Sequence, residues 1–470
     1  MGRRKGLMVG AFWQTGATVM AGAAAATKVP WLLVGARFFQ GFSQGVTIVC
    51  LTLLLQECSP TACRGFVSSL QGTGAAFATF LGALLGLPHI LGHAGAPLIV
   101  LLTLGAIPAV ILLVVAYKCP ETPKFLLLMK FDLEAAEAAI QFYHGATANS
   151  HTTLGKIQDE AKVDVDKTNW SGRRWNIVAV LKPEPFLYQL PHIRGAMGRA
   201  LAVGGLVVCL GLPFPLYTFS SKILAATGLD SSHWLSTGSS TQLISADLGA
   251  AVFLIGSLLP PFLMDSVGRR PLFLIGAALS AVSLVLLTAF SLIFHYSRMA
   301  ANGVVNWPSY AFLAVLWSMA AFVGSGPAAV AYFITAEMVP HSARSWAVAF
   351  VHAVQSLATL FFGLIFTPIF DHIYGYTLLI LFLAPVLILW LVCFWKLPET
   401  AGLEIADVVR ALAERVNPAG GKKLSSMAAN DTLSSSTFTD ISTVRVSDTL
   451  ESDAPEHMES SFSTTHTPLR

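Results

Sequence analysis

Charge is what this sequence has least of. Only 12% of its 470 residues are Asp, Glu, Lys or Arg, against about a quarter in a soluble domain. The chain is therefore not wholly soluble. The scarcity is also uneven: Leu7–Thr27 and Phe38–Gln56 carry no charge, and Phe66–Tyr117 carries none over 52 residues. Paired cysteine is missing as well. Of Cys50, Cys58, Cys63, Cys119, Cys209 and Cys393, no two meet in an outer loop and none forms a CxxC, so no disulfide is expected. There is no glycine-rich phosphate loop, no metal-ligand spacing and no nucleophile elbow. An enzyme is not expected, nor a catalytic residue, a metal site or a cofactor. The net charge of +3 reflects loop bias and gives no reason to expect a nucleic-acid partner.

What is present is apolar sequence in long runs. A bilayer core about 30 Å thick takes about 20 apolar residues of helix, and only helices satisfy the backbone of such runs in lipid. The runs predict ten membrane helices, near 7–27, 30–55, 66–87, 95–117, 200–222, 243–264, 271–295, 307–335, 345–370 and 375–395. The first run follows "RRK", as a signal peptide would, but its 21 residues are long for one. Basic residues gather on one set of loops: Arg3, Arg4, Lys5, Arg64, Lys118, Lys124, Arg194, Arg199, Arg269, Arg270, Arg344 and Lys396. Positive loops lie inside, so both termini are expected in the cytoplasm. Two segments lie outside the membrane. Glu121–His192 is charged and partly helical, with "FDLEAAEAAIQFYHG" ended by Gly145. The end of the chain, from about Leu424, is rich in Ser, Thr and acid and is expected to be disordered. The glycosylation sequons at Asn169 and Asn430 fall on the expected cytoplasmic side.

The charges that do occur repeat. "ECSPTACR" (Glu57–Arg64) and "EMVPHSAR" (Glu337–Arg344) both read E-x-x-P-x-x-x-R, 280 residues apart. "GRRKG" returns as "GRRPL" after 266 residues, and "CPETP" as "LPETA" after 278. The same three motifs in the same order, twice, mark an internal duplication of a membrane unit. With "ARFFQGFSQG", "CPETPKFLL", "DSVGRRPL", "GSGPAAVAYFITAE" and "LPETAGLEI", they resemble the sugar porters of the major facilitator superfamily, most closely the facilitative glucose transporter group, over about residues 2–410.

The resemblance implies an all-α membrane protein with two six-helix halves related by a pseudo-two-fold and joined by a cytoplasmic helical linker. Two spans precede "GRR" in the second half and only Met1 does in the first. About ten of the usual twelve helices are therefore expected, the first two being absent. The expected parts are an N-terminal half at 1–117, the linker at 118–196, a six-helix half at 197–396, a juxtamembrane segment at 397–423 and the tail at 424–470. It also implies that Glu57, Arg64, Asp265, Arg269, Arg270, Glu337 and Arg344 form salt bridges that hold the cytoplasmic side shut and break as the carrier opens inward.

In the solute pathway this sequence departs from the family. Where amides are expected to bind a sugar, it has Val208, Cys209, Phe214 and Phe253. Gln71, Tyr332, Gln355 and Thr359 remain as the candidate substrate-binding set, with Gln44, Asp247 and His352 as further polar residues. The implied function is facilitative transport of a hexose or related small polar solute by alternating access, in the plasma membrane. The alternatives left open are a non-transporting, degenerate or truncated relative acting as sensor or partner, and a partial gene model. The solute, the coupling to protons and the oligomeric state stay undetermined.

Overall fold

The computed structural model describes residues 2–87, 89–93, 95–145, 149–164, 194–209, 240–300 and 307–416. The fifth span beyond Cys209, with Pro213, Phe214 and Pro215, lies outside these residues. So do both sequons and the segment 424–470. Among the described residues every regular element is a helix.

The first half comprises α1 (Arg3–Thr27), α2 (Pro30–Cys58), α3 (Arg64–Leu85) and the rod formed by α4 (Ala96–Leu104) and α5 (Ala106–Lys118). The linker begins with α6 (Pro123–Phe125), a π turn at Leu126–Lys130, α7 (Leu133–His144) and α8 (Ser150–Asp164). The second half runs α9 (Arg194–Cys209), α10 (Ser240–Ser257), α11 (Leu259–Val267), α12 (Arg269–Ala300), α13 (Trp307–Ser325), α14 (Pro327–Ala331), α15 (Ile334–Met338), α16 (His341–Ile373) and α17 (Ala384–Lys396). Among the described residues a final helix, α18 (Ile405–Val416), follows.

Seven stretches among the described residues are long and apolar enough to cross a membrane: Pro30–Cys58, Ala96–Lys118, Asp247–Val267, Arg269–Tyr296, Trp307–Ser325, Ala343–Ile373 and Leu378–Lys396. The α1 and α3 rods have 25 and 22 residues but less apolar sequence, because "AGAAAAT" and "SSLQGTG" replace large aliphatics. Small residues have a different use there: they let helix backbones approach. Leu7, Ala11, Ala17 and Ala21 are buried, while Trp31, Phe38, Phe262, Leu364 and Trp395 stand outward. Large apolar side chains facing out over whole helices fit a lipid surface.

Breaks fall where the sequence places helix breakers. Pro260 and Pro261 open α11, and Gly326–Pro327 divides α13 from α14. Proline removes a backbone donor and its ring clashes with the preceding turn. A cluster of large side chains, including Phe273, Phe312, Phe333, Phe366 and Phe382, fills the second half. The halves meet where α3 packs on α10 and α11. They meet again where Val49 and Leu53 of α2 touch Ala336 and Val348.

Candidate functional site

The duplicated motifs converge at one end of the helices. In the first half, Arg3 donates from Nε and Nη2 to Glu57 Oε1 at 3.2 and 2.7 Å, and Thr122 Oγ1 donates to Glu57 Oε2 at 2.7 Å. In the second, Arg269 Nε lies 3.2 Å from Glu337 Oε2, and Thr400 Oγ1 donates to the same oxygen at 2.5 Å. The first arginine of "GRR", the glutamate of the octapeptide and the threonine of "PET" thus form one arrangement twice.

The second arginine and the "PET" glutamate form another. Glu121 accepts from Arg4 N at 3.0 Å, and Glu399 accepts from Arg269 N and Arg270 N at 3.0 and 3.1 Å. Arg4 and Arg270 each turn their guanidinium to a helix-end carbonyl, Tyr117 and Phe394 respectively. These close approaches account for the glycine that opens each motif. A Cβ on Gly2 would stand 2.0 Å from Glu121 Oε2, and one on Gly268 2.8 Å from Glu399 Oε2. Gly268 also has a φ of 102°, which side chains rarely adopt.

Other contacts cross between the halves. Asp265, at the end of α11, accepts the backbone N–H groups of Gly65 and Phe66 at 3.0 and 2.8 Å, capping the first turn of α3. A carboxylate suits the positive end of a helix. Asp265 also lies 3.6 Å from Arg269, which is therefore shared between two carboxylates. Gln56 Nε2 donates to Ser68 at 2.8 Å and reaches Glu337 at 3.5 Å. His341 Nδ1 stands 3.8 Å from Glu57.

The arginines of the octapeptides act crosswise. The charge of Arg344 bears on Glu57 and that of Arg64 bears on Glu337. His341 precedes the Ala343–Ile373 span. Burial pushes its imidazole down to about 4, against the pull of Glu57. At cytoplasmic pH it is neutral.

Glu404, just ahead of α18, ties three parts together. It accepts from Thr61 Oγ1 at 2.9 Å and Lys156 Nζ at 3.2 Å, and lies 3.8 Å from Arg64. Burial raises its carboxyl, but Thr61, Arg64 and Lys156 outweigh that and hold it below the usual carboxylate range. Thr122, Thr400, Gln56, His341 and Glu404 were not singled out from the sequence. The two threonines were findable, since both lie in a repeated motif.

The candidate solute residues fall into two groups. Gln71 on α3 accepts from Thr52 Oγ1 at 2.9 Å, and its neighbour Gly72 faces Ala329 across the halves. In the second half, Val348, His352, Gln355 and Thr359 recur at helical spacing on α16. Val348 touches the first half, so this stripe faces it. His352 Nδ1 lies 3.2 Å from Gln355 Oε1, and the rings of His352 and Tyr332 are 6.2 Å apart. Thr359 is exposed and Gln71, Tyr332 and Gln355 are half-buried. Val208 and Phe253, at expected amide positions, are packed into the second-half core. Asp247 lies on α10, seven residues beyond Ser240. A depression of about 480 Å³ lies elsewhere, between α12 and α17 beside Arg270, Leu274 and Trp390.

A protein-family model for the sugar (and other) transporter family matches residues 1–412. The facilitated glucose transporter member 3 of Gallus gallus is 26% identical over 421 residues, covering 88% of this chain and 76% of that protein. Facilitated glucose transporter protein 1 of Caenorhabditis elegans is 25% identical over 423 residues, covering 88% and 76%. A crystal structure of a double-tryptophan mutant of XylE superposes with a TM-score of 0.68 at 18% identity, covering 88% of this chain and 84% of that one. XylE of E. coli in its inward-open conformation superposes at 0.56, again at 18% identity, with 87% and 82% covered. Those structures establish the fold as that of the major facilitator superfamily, a multi-pass membrane architecture. The duplicated motifs, the fold and the family match over most of the chain agree: this protein is a membrane carrier that belongs to the sugar (and other) transporter family.

Proposed function

We propose that the chain moves a hexose or a related small polar solute down its gradient by alternating access between its two halves. The observation that carries this reading is the pairing of a closed cytoplasmic face with a polar stripe behind it. Asp265, Gln56, His341 and Glu404 join the halves at that face, and His352, Gln355 and Thr359 lie along the contact between them.

In this reading Glu57, Arg64, Asp265, Arg269, Arg270, Glu337 and Arg344 are the latch. Their net energy is small enough to switch, because buried ion pairs offset much of their Coulomb energy by desolvation. Gln71, Tyr332, Gln355 and Thr359 bind the solute. The two halves are 1–117 and 197–396, with 118–196 and 397–423 as the cytoplasmic frame. The basic loops place both termini in the cytoplasm, and the related facilitated glucose transporters suggest the plasma membrane. A relative solved with a bound ligand is described as a proton:xylose symporter, whereas the curated relatives are described as facilitated transporters. Uniport is the reading adopted.

D-Glucose is a poor fit. Val208 and Phe253 offer no hydrogen bonds, and each hydroxyl desolvated without a partner costs about 1–3 kcal/mol. Two such losses weaken binding by more than tenfold. The test is uptake by proteoliposomes of labelled D-glucose, D-fructose, D-xylose and myo-inositol. Saturable uptake of one of them, with D-glucose weakest among the hexoses, is the expected result. No saturable uptake of any would favour a non-transporting membrane protein.

A further inference from the structure

Where α10 gives way to α11, one main-chain carbonyl loses both of its helical donors. Ser257 C=O would accept from residue 261 in an α-helix, or from residue 260 in a tighter turn, and both are proline. Proline has no N–H to give. Ser257 is only 2% exposed, and a buried carbonyl without a donor is costly. The donor comes from the other half: Thr73 Oγ1 of α3 donates to Ser257 O at 2.7 Å. A threonine on a neighbouring helix is one of the ways in which membrane helices satisfy a carbonyl freed by proline.

Thr73 departs from its own helix to do this. Thr15, Thr27, Thr79 and Thr288 each donate to the carbonyl four residues back, at 2.9, 2.8, 2.9 and 2.8 Å, as helical threonines commonly do. For Thr73 that carbonyl, Ser69 O, is 3.5 Å away. A hydroxyl has one proton to donate, and the shorter contact takes it. The Thr73 proton thus has two acceptors within reach, one in the opposite half and one in its own. Thr73 also lies nine residues along α3 from Arg64. That is about 14 Å at 1.5 Å per residue, well inside a core about 30 Å thick and deeper than the Asp265 cap on Gly65 and Phe66.

We propose that Thr73 and the Ser257 carbonyl are a gating pair for transport, set behind the charged latch. With the halves together, Thr73 covers the carbonyl that Pro260 and Pro261 leave bare. When the halves part at the end that bears the duplicated motifs, the Thr73 proton returns to Ser69 O, and the Ser257 carbonyl takes water or a hydroxyl of the solute. The two prolines therefore leave an acceptor in the passage that is covered in one state and open in the other. This rests on the reading above that the halves move by alternating access.

The test is the rate at which a maleimide labels the thiol introduced by Ser69→Cys in the purified full chain, read at that peptide by mass spectrometry to set aside the six native cysteines. Ser69 is fully buried and lies one turn nearer the duplicated motifs than Thr73. Its hydroxyl bonds Phe66 O of its own helix, so a thiol replaces it with little disturbance. Labelling then reports the opening of this end. Thr73→Val should speed it about 10-fold, for a carbonyl left without its donor in the closed state, and Thr73→Ser, which keeps the hydroxyl, by less than about 2-fold. An unchanged rate in Thr73→Val, or a rate in Thr73→Ser as fast as in Thr73→Val, overturns the proposal. In a Pro261→Ala background residue 261 supplies an N–H for Ser257 O, and Thr73→Val should then change the rate by less than about 2-fold. Equal acceleration in both backgrounds means that Thr73 acts by packing and not through this carbonyl. A thiol that no variant exposes means that the halves do not part here, and overturns the proposal as well. Absence of solute uptake by the wild type counts against the solute reading instead, and the labelling rates still decide the gating pair.

Discussion

The two clusters built on the duplicated motifs share one plan and differ in how they meet the opposite half. Arg3, Glu57 and Thr122 form a closed set, in which Arg3 meets its carboxylate at 2.7 Å and packs over the Phe125 ring at 5.7 Å. Arg269, Glu337 and Thr400 repeat the set, but Arg269 is drawn also to Asp265. Asp265 in turn caps α3 of the opposite half. The first cluster meets the other half through His341, 3.8 Å from Glu57, whereas the second does so through the Asp265 carboxylate. Duplication supplied two equal scaffolds, and one aspartate made them unequal: in the proposed latch, the cluster coupled to Asp265 is the one whose ion pairing is shared with the opposite half.

The largest effect should come from removing the carboxylate of the first cluster. Among the described residues Glu57 is the carboxylate partner of Arg3, so Glu57→Ala leaves a buried cation unpaired and costs about 3–5 kcal/mol. Glu337→Ala should cost roughly half as much, because Arg269 keeps Asp265. Thermal melting in detergent measures both, and equal losses would show the clusters to be equivalent after all.

Next in size is Asp265→Asn. The amide keeps one acceptor for Gly65 and Phe66 but loses the charge, and one charge-assisted bond is worth about 1.5–3 kcal/mol. The halves should part at this face by roughly tenfold in population. Cysteines placed at Phe66 and Phe262, whose rings are 6.0 Å apart across the halves, should then cross-link in correspondingly lower yield. Unchanged yield would remove Asp265 from the inter-half contact.

A pH effect sharpens the comparison further. His341 has a pKa of about 4 when buried against Glu57, Arg344, Arg3 and Lys124, compared with 6.5 for a free imidazole. The opened face binds a proton that the closed face does not, so the closed state is fully stable above pH 6.5 and loses stability as pH falls from 6.5 toward 4. For one proton the limiting slope is about tenfold per pH unit. The same cross-link should weaken on acidification over that window, and His341→Leu should flatten the dependence. A wild-type cross-link insensitive to pH would place His341 outside the moving contact.

The smallest effect belongs to Glu404. It is 36% exposed and Lys156 is 65% exposed, so solvent screens the pair. A double-mutant cycle with Lys156→Ala and Glu404→Ala should give coupling below about 1 kcal/mol. Coupling of several kcal/mol would make the clasp a principal latch and displace Asp265 from that role.

Much of this was legible in the sequence because duplication prints it twice. The repeats located both clusters, and the octapeptide glutamates and "GRR" arginines meet as charges in such motifs should. Thr122 and Thr400 were findable for the same reason, since "PET" repeats with the other motifs. Glu404 was invisible: its partners Thr61 and Lys156 lie 343 and 248 residues earlier, and no local pattern encodes so distant a contact. The solute stripe was half legible. Helical spacing joins His352, Gln355 and Thr359, but a histidine in an apolar helix reads as core until the structure sets its Nδ1 3.2 Å from Gln355. The α1 and α3 spans are diluted by glycine, alanine and serine, since close backbone packing and high apolarity ask for different residues.

Glu404 also sets a timetable. A ribosome adds about 5–20 residues per second, so Lys156, made 248 residues earlier, waits roughly 10–50 s for its partner. Thr61 and Arg64 wait longer. Through that interval the nascent first half has its own Arg3–Glu57 pair and gains Asp265, Glu337 and His341 as partners one by one. The clasp is therefore the last of these contacts to become possible: a chain stalled before Glu404 has its halves joined but leaves Thr61 and Lys156 without this partner, and one that has passed Glu404 does not.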